Sequence, residues 1–195
     1  MRHSHVAART LDLSAVLRRA GIELAAATAF AAFTALGARV QFHLPFTPVP
    51  VTGQVFCVLL AGAVLGPRLG FVSMVEYLAA GAAGLPVFAY GGGPAALLGP
   101  TGGYLIGFPL AAAVVGALAW RGVGWKVFVG CICGVAIIHV IGAGWYAIWS
   151  LATSGVATLP GVLAQSVLPF VGVDVMKAAA VAAAAPTIRR QMRIG

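Results

Sequence analysis

Asp174 and Lys177 stand three residues apart in the stretch PFVGVDVMK, residues 169–177, and no other charged residue occurs between Lys126 and Arg189. Side chains at i and i+3 of a helix share a face, so this acid and base can offer an acceptor and a donor of opposite charge to one small molecule. Inside a bilayer each would cost about 2.5–3.5 kcal/mol at mid-depth, and ionisable residues placed there mark a functional site by default. The alternative is an ion pair that neutralises itself and only orients its helix.

Composition identifies the solvent around that pair. Of 195 residues, 61% are hydrophobic and 8% charged, with a mean hydropathy of +1.01, whereas a soluble domain carries roughly 25% charged residues. An all-α integral membrane protein is expected. At about 20 residues per span the length allows roughly six short-looped helices and no soluble catalytic domain. The expected organisation is a cytoplasmic N-terminal tail over residues 1–20 and one six-helix membrane domain over residues 21–195. The formal charge of +8 does not indicate nucleic acid, because Arg2, Arg9, Arg18, Arg19, Arg68, Arg121, Lys126, Arg189, Arg190 and Arg193 fall in the two tails and alternate loops. That is the positive-inside pattern, and it puts both termini in the cytoplasm. Arg39 and Lys177 are the bases left over.

The first span is expected from Ile22 to Phe42. Its small residues four apart, Ala27 with Ala31 and Ala31 with Ala35, make a flat face that admits another helix, of this chain or of a partner. Arg39 lies at the outer end, where its guanidinium can snorkel or meet an anion. The segment HLPFTPVPVTGQ, residues 43–54, holds Pro45, Pro48 and Pro50 and no charge, so it predicts a stiff non-helical loop. Irregular backbone at a membrane surface is tolerated where it lines a cavity, and Thr47, Thr52 and Gln54 make this loop one wall of a pocket.

Val55–Leu65 and Gly70–Ala83 read as short second and third spans in a tight hairpin around GPR, with small pairs Gly62/Gly66 and Gly66/Gly70. Glu76, inside the third, reads as a buried structural carboxylate. The glycine-rich outer loop 84–104 carries Leu85, Phe88, Tyr90, Leu97, Leu98 and Tyr104, a second apolar wall. Gly103–Ala119 and Val127–Trp149 are the fourth and fifth spans, with Trp145, Tyr146 and Trp149 at an interfacial aromatic belt. Cys57, Cys131 and Cys133 read as small apolar fillers rather than metal ligands, His139 as a hydrogen-bonded interior residue, and His3 and His5 as solvated tail residues. The sixth span descends from Gly172 to Met192 with a kink at Pro186. Asp174 and Lys177 then sit in its first turns at the outer face, beside three uncharged outer loops, the usual make-up of a small-molecule site.

Five blocks, FTPVPVTGQ at 46–54, LGPRLG at 65–70, GAAGLPVFA at 81–89, LGPTGGYLIGF at 98–108 and LPFVGVDVMK at 168–177, resemble in order and spacing the BioY family. Members of that family are the biotin-binding S components of energy-coupling-factor (ECF) transporters. The resemblance implies six transmembrane helices and capture of biotin at the extracytoplasmic side. It also implies uptake with a membrane coupling subunit and two ATPase subunits, in the cell (inner, cytoplasmic) membrane. Biotin presents ureido N–H donors, a ureido carbonyl, an apolar ring and a carboxylate. Asp174 is expected to accept the N–H groups and Lys177 to pair with the carboxylate, with Gln54 and Thr52 as further polar contacts. Phe88, Tyr90 and Tyr104 are expected to enclose the rings, Arg39 to be a second partner for the carboxylate, and Ala27 and Ala31 to meet the coupling subunit.

No cofactor, metal or catalytic residue is expected, since ATP belongs to the partner subunits. A membrane-embedded enzyme is disfavoured because Asp12, Glu23, Glu76 and Asp174 are too scattered for a catalytic acid set and no HExxH or GxSxG occurs. A solitary carrier would want paired broken helices and a midplane site.

Overall fold

In the computed structural model, residues 13–119 and 121–192 are described, so the expectations for His3, His5, Arg2, Arg9, Asp12 and Arg193 lie outside them. Helix α1 spans Leu13–Gly37. It is longer at its start than expected, because Arg18 and Arg19 suit an exposed helical turn and Arg19 meets Glu23 one turn on at 3.1 Å. It ends at Gly37, not Phe42, where the chain closes on itself: Gly53 N–H donates to Gly37 O at 3.0 Å and to Val40 O at 2.9 Å. A Cβ at Gly37 would lie 2.7 Å from Cys57 Sγ and 3.1 Å from the carbonyl carbon of Gly53, so a larger residue would have to push this contact apart. The proline-rich segment is held as a small hairpin, with β1 (Gln41–Phe42) antiparallel to β2 (Val51–Thr52) in the register Gln41–Thr52 and Phe42–Val51.

Helix α2 spans Gln54–Ala82 and is broken at Gly66, whose φ of 83° and ψ of 179° lie outside helical space. Glycine reaches that φ without steric cost, and Pro67 next to it supplies no N–H to continue the ladder. The two limbs fold back on each other. A Cβ at Gly70 would lie 3.0 Å from the Cα of Gly62, whereas eight residues of straight helix rise about 12 Å. The expected glycine-lined hairpin is therefore present.

A short helix α3 (Pro94–Leu98) precedes α4 (Gly102–Ala119), and α5 (Trp125–Ser154) is closed by Gly155 in the left-handed region at φ 70°. Helix α6 (Leu159–Ser166) was not expected; Thr158 caps it by accepting from Gly161 N–H at 3.3 Å. Helix α7 runs Leu168–Met192, starting one turn earlier than expected because a first turn tolerates Pro169. Among the described residues five helices (α1, α2, α4, α5 and α7) are long and apolar enough to cross a membrane. Large apolar side chains such as Leu24, Leu110, Leu118, Val140, Ile148 and Met176 stand exposed on them. Side chains of that kind on the outside of a bundle belong in lipid, where apolar surface costs nothing.

Small residues set the spacing of the bundle. Cβ atoms added at Gly62 and Gly116 would reach within 2.5 Å of Ala112 O and Pro67 N respectively, so α2 and α4 touch nearly backbone to backbone, while Gly134 of α5 makes room for the Val115 side chain of α4. One end of the bundle is basic: Arg121 and Lys126 border a groove with Pro67, and Arg189 of α7 donates to Ala119 O at 2.9 Å. At the other end lie the start of α2, the starts of α4 and α7, the β hairpin and the loop 83–101.

Candidate ligand-binding site

At that second end a cavity of about 50 Å³ opens between four helices and a loop. The segment Val49–Thr52 and Gln54 and Val55 of α2 form one wall. Tyr104, Leu105 and Phe108 of α4 form another, and Ile138 and His139 of α5 with Phe170, Asp174 and Lys177 of α7 complete it.

Asp174 is buried, 3% exposed, and both of its oxygens are engaged. Lys177 Nζ donates to Oδ1 at 2.7 Å, the i, i+3 pairing expected from sequence. His139 Nε2 lies 3.0 Å from Oδ2, bringing α5 into the arrangement. The imidazole is wedged between Tyr104, edge-on with ring centres 6.3 Å apart, and Phe170, stacked at the same distance. An ion pair taken out of water is sustained only when its remaining hydrogen-bonding capacity is met, and His139 meets part of it. Sequence reasoning placed His139 in the interior with a partner but not at the site. The signal available was its own ionisable character within an apolar span, the argument used for Asp174 and Lys177.

Gln54 and Thr52 border the cavity as expected. Gln54 is buried and donates through Nε2 to Tyr77 Oη at 2.6 Å, and Tyr77 donates on to Val87 O at 2.9 Å. This chain of bonds ties the start of α2 to the loop after it. Thr52 Oγ1 accepts from Gln54 N–H at 3.3 Å and shapes the turn into the helix. Tyr104 lines the cavity too, its hydroxyl donating to Ser166 O and its ring seated over Gly142, where a Cβ would come within 2.5 Å of the ring.

Three expected ligand residues stand elsewhere. Phe88 is fully buried against Tyr77, ring centres 5.3 Å apart, and covers Gly81, because an apolar ring gains more in the core than beside a polar cavity. Tyr90 is exposed; its hydroxyl donates to Pro48 O and its ring lies against His43. Arg39 is exposed and donates to Pro86 O, so its charge stays in contact with water, as the cost of burying it favours. Arg39 and Tyr90 therefore join loops around the cavity without bordering it. The expected partner-facing pair also turns inward: Ala27 and Ala31 are buried within the chain, and the exposed small face of α1 is Ala25, Ala29 and Ala32. Glu76 is half-buried, accepting from Thr28 Oγ1 of α1 at 2.9 Å. Cys57 and Cys131 are free and buried, Cys133 free and half-buried. Phe108, Ile138 and Phe170, which sequence reasoning did not single out, supply apolar walls; no local spacing marks them, since they come from three helices.

Fold and site together define a multi-pass helical membrane protein with a small cavity, part apolar and part charged, at one end of its bundle. The chain belongs to the BioY family, whose model matches residues 9–194. It is 42% identical over 158 residues to the probable biotin transporter BioY of Pyrococcus horikoshii, covering 80% of this chain and 90% of that one. It is 43% identical over 123 residues to the biotin transporter BioY of Thermotoga maritima, covering 62% and 71%. The crystal structure at 2.1 Å of the S-component for biotin from an ECF-type ABC transporter resembles it with a TM-score of 0.76 at 26% identity, over 91% of this chain and 94% of that chain.

Proposed function

We propose that this protein takes up biotin, as the S component of an ECF-type transporter that binds the vitamin at the outer face of the membrane. The observation that carries the proposal is the buried Asp174–Lys177 pair opening onto a cavity, in a chain whose likeness to a biotin S-component extends over nearly its whole length. Charged groups of both signs beside apolar walls suit a ligand with N–H donors, a carboxylate and a saturated ring. A carboxylate offers about four lone-pair positions, so Asp174 can accept a ureido N–H while keeping Lys177 and His139. Lys177 has three donors and uses one on Asp174, leaving others for the carboxylate. Gln54, Thr52 and Tyr104 contribute from the walls, while Arg39, Tyr90 and Phe88 act by holding the loops in place. The cavity is smaller than the several hundred Å³ usual for ligand sites, so binding opens it.

The two limbs of α2 count as separate spans, which gives six crossings of the cell membrane with both termini inside. The support is the gathering of Arg121, Lys126 and Arg189 at the end away from the cavity. The coupling subunit, driven by two ATPases, meets α1 on Ala25, Ala29 and Ala32, the face left open after Ala27 and Ala31 are used inside. Calorimetry of the purified protein tests the ligand reading. Titration with biotin at micromolar protein is expected to give saturable heat at one site, and flat heats overturn it.

A further inference from the structure

We propose that His139 is a ligand-binding residue, its Nδ1 accepting a hydrogen bond from an N–H group of the ligand; this rests on the biotin reading above. The tautomer follows from the contact to Asp174. A carboxylate oxygen 3.0 Å from Nε2 accepts, so Nε2 carries the proton and, in the neutral ring, Nδ1 is a bare acceptor. That nitrogen is buried and has no hydrogen-bond partner among the described residues, although the side chain borders the cavity. Buried acceptors in folded proteins are nearly always paired, and one left open on a residue that borders a cavity is suited to a donor from whatever fills that cavity. Its packing leaves little freedom to find another partner, since Tyr104 and Phe170 hold the ring and both present carbon to it.

Stoichiometry adds a second argument. The ureido group has two N–H donors, and the nearest charged acceptor, Asp174, already serves Lys177 and His139. With Asp174 taking one N–H and His139 Nδ1 the other, both donors are met by atoms on facing helices, and Asp174 fixes the orientation of both of its neighbours. An analogous arrangement governs metal-bound and catalytic histidines, where the group on one ring nitrogen decides what the other can do.

The test uses the full-length protein labelled with 15N-histidine, whose His139 resonances are those missing from His139→Gln. On saturation with biotin the Nδ1 signal is expected to move from the free-acceptor range toward the hydrogen-bonded one, while Nε2 stays protonated. Glutamine places an amide N–H near the position of Nε2, keeping the bond to Asp174 but losing Nδ1. His139→Gln is therefore expected to bind biotin about tenfold more weakly, the effect of one ligand donor left unpaired. Asparagine, which returns a polar atom near the position of Nδ1, is expected to recover part of that loss. An Nδ1 signal unmoved in a protein that calorimetry shows to be loaded with biotin overturns this inference alone, as does wild-type affinity in His139→Gln. Absence of heat from the wild type overturns the biotin reading and this inference with it.

Discussion

Replacing Asp174 by asparagine preserves the side chain's shape while removing a charged acceptor that Lys177 and His139 both use. Hydrogen bonds to charged groups are worth about 1.5–3 kcal/mol, so Asp174→Asn is expected to weaken biotin binding about tenfold to a hundredfold by calorimetry. Lys177→Met is expected to lose a similar factor against biotin but much less against a biotin amide, whose tail carries no charge; Asp174→Asn should lose equally against both. Equal losses for both ligands in Lys177→Met would make Lys177 a partner of Asp174 only. Lys177→Met also leaves a carboxylate 3% exposed with only His139 for support, a situation that costs about 3–5 kcal/mol when a buried pair is broken. Its melting temperature should fall, and binding should be read on the folded fraction. The acid and base were legible in sequence because they lie one turn apart on one helix. The pairing of His139 with Asp174 was not, since 35 residues separate them and only the crossing of α5 and α7 brings them together.

The helices meet through glycines whose local spacing shows in the sequence but whose partners do not. Gly142 leaves room for the ring of Tyr104, whereas Gly144, two residues on, has nothing among the described residues within 4 Å of an added Cβ. Gly142→Ala is therefore expected to push Tyr104 into the cavity and weaken biotin binding several-fold, with overpacking costing about 1–3 kcal/mol. Gly144→Ala is the matched control and should bind as wild type; equal behaviour of the two would show that Tyr104 does not shape the cavity. The reversal at Gly66 was readable from GPR flanked by small residues four apart. Helix α6 was not, because eight residues containing Pro160 and Gly161 fall short of the 11–18-residue window in which helical periodicity can be counted. The inward turn of Ala27 and Ala31 was equally hidden: the alanines at 25, 26, 27, 29, 31, 32 and 35 cover several faces of α1, and only the lie of α2 decides which is buried.

At the scale of the whole molecule the gathering of Arg121, Lys126 and Arg189 at one end, against a cavity end where Asp174 pairs with Lys177 and Arg39 is the added base, predicts orientation. In a cysteine-free background, Val123→Cys in the loop before α5 should resist an impermeant thiol reagent added outside, while Val156→Cys after α5 should react; both positions are exposed. Reaction at 123 from outside would reverse the topology. Coupling is tested in the same frame. Ala29→Trp, on the open face of α1, should prevent copurification with the coupling module and spare biotin binding, whereas Ala27→Trp, facing inward, should impair folding of the chain itself. The loops that cap the cavity carry one more consequence. Arg39, Gln41, Thr47 and Tyr90 each reach from one segment to a backbone oxygen of another, those of Pro86, Ala89, Gln165 and Pro48. A peptide oxygen is the same whatever residue owns it, so the two ends of each tie are under unequal constraint: descendants must keep the reaching side chain but can exchange the residue it reaches. A saturation mutagenesis scored by growth on limiting biotin should show that asymmetry as four intolerant donor positions facing permissive acceptors.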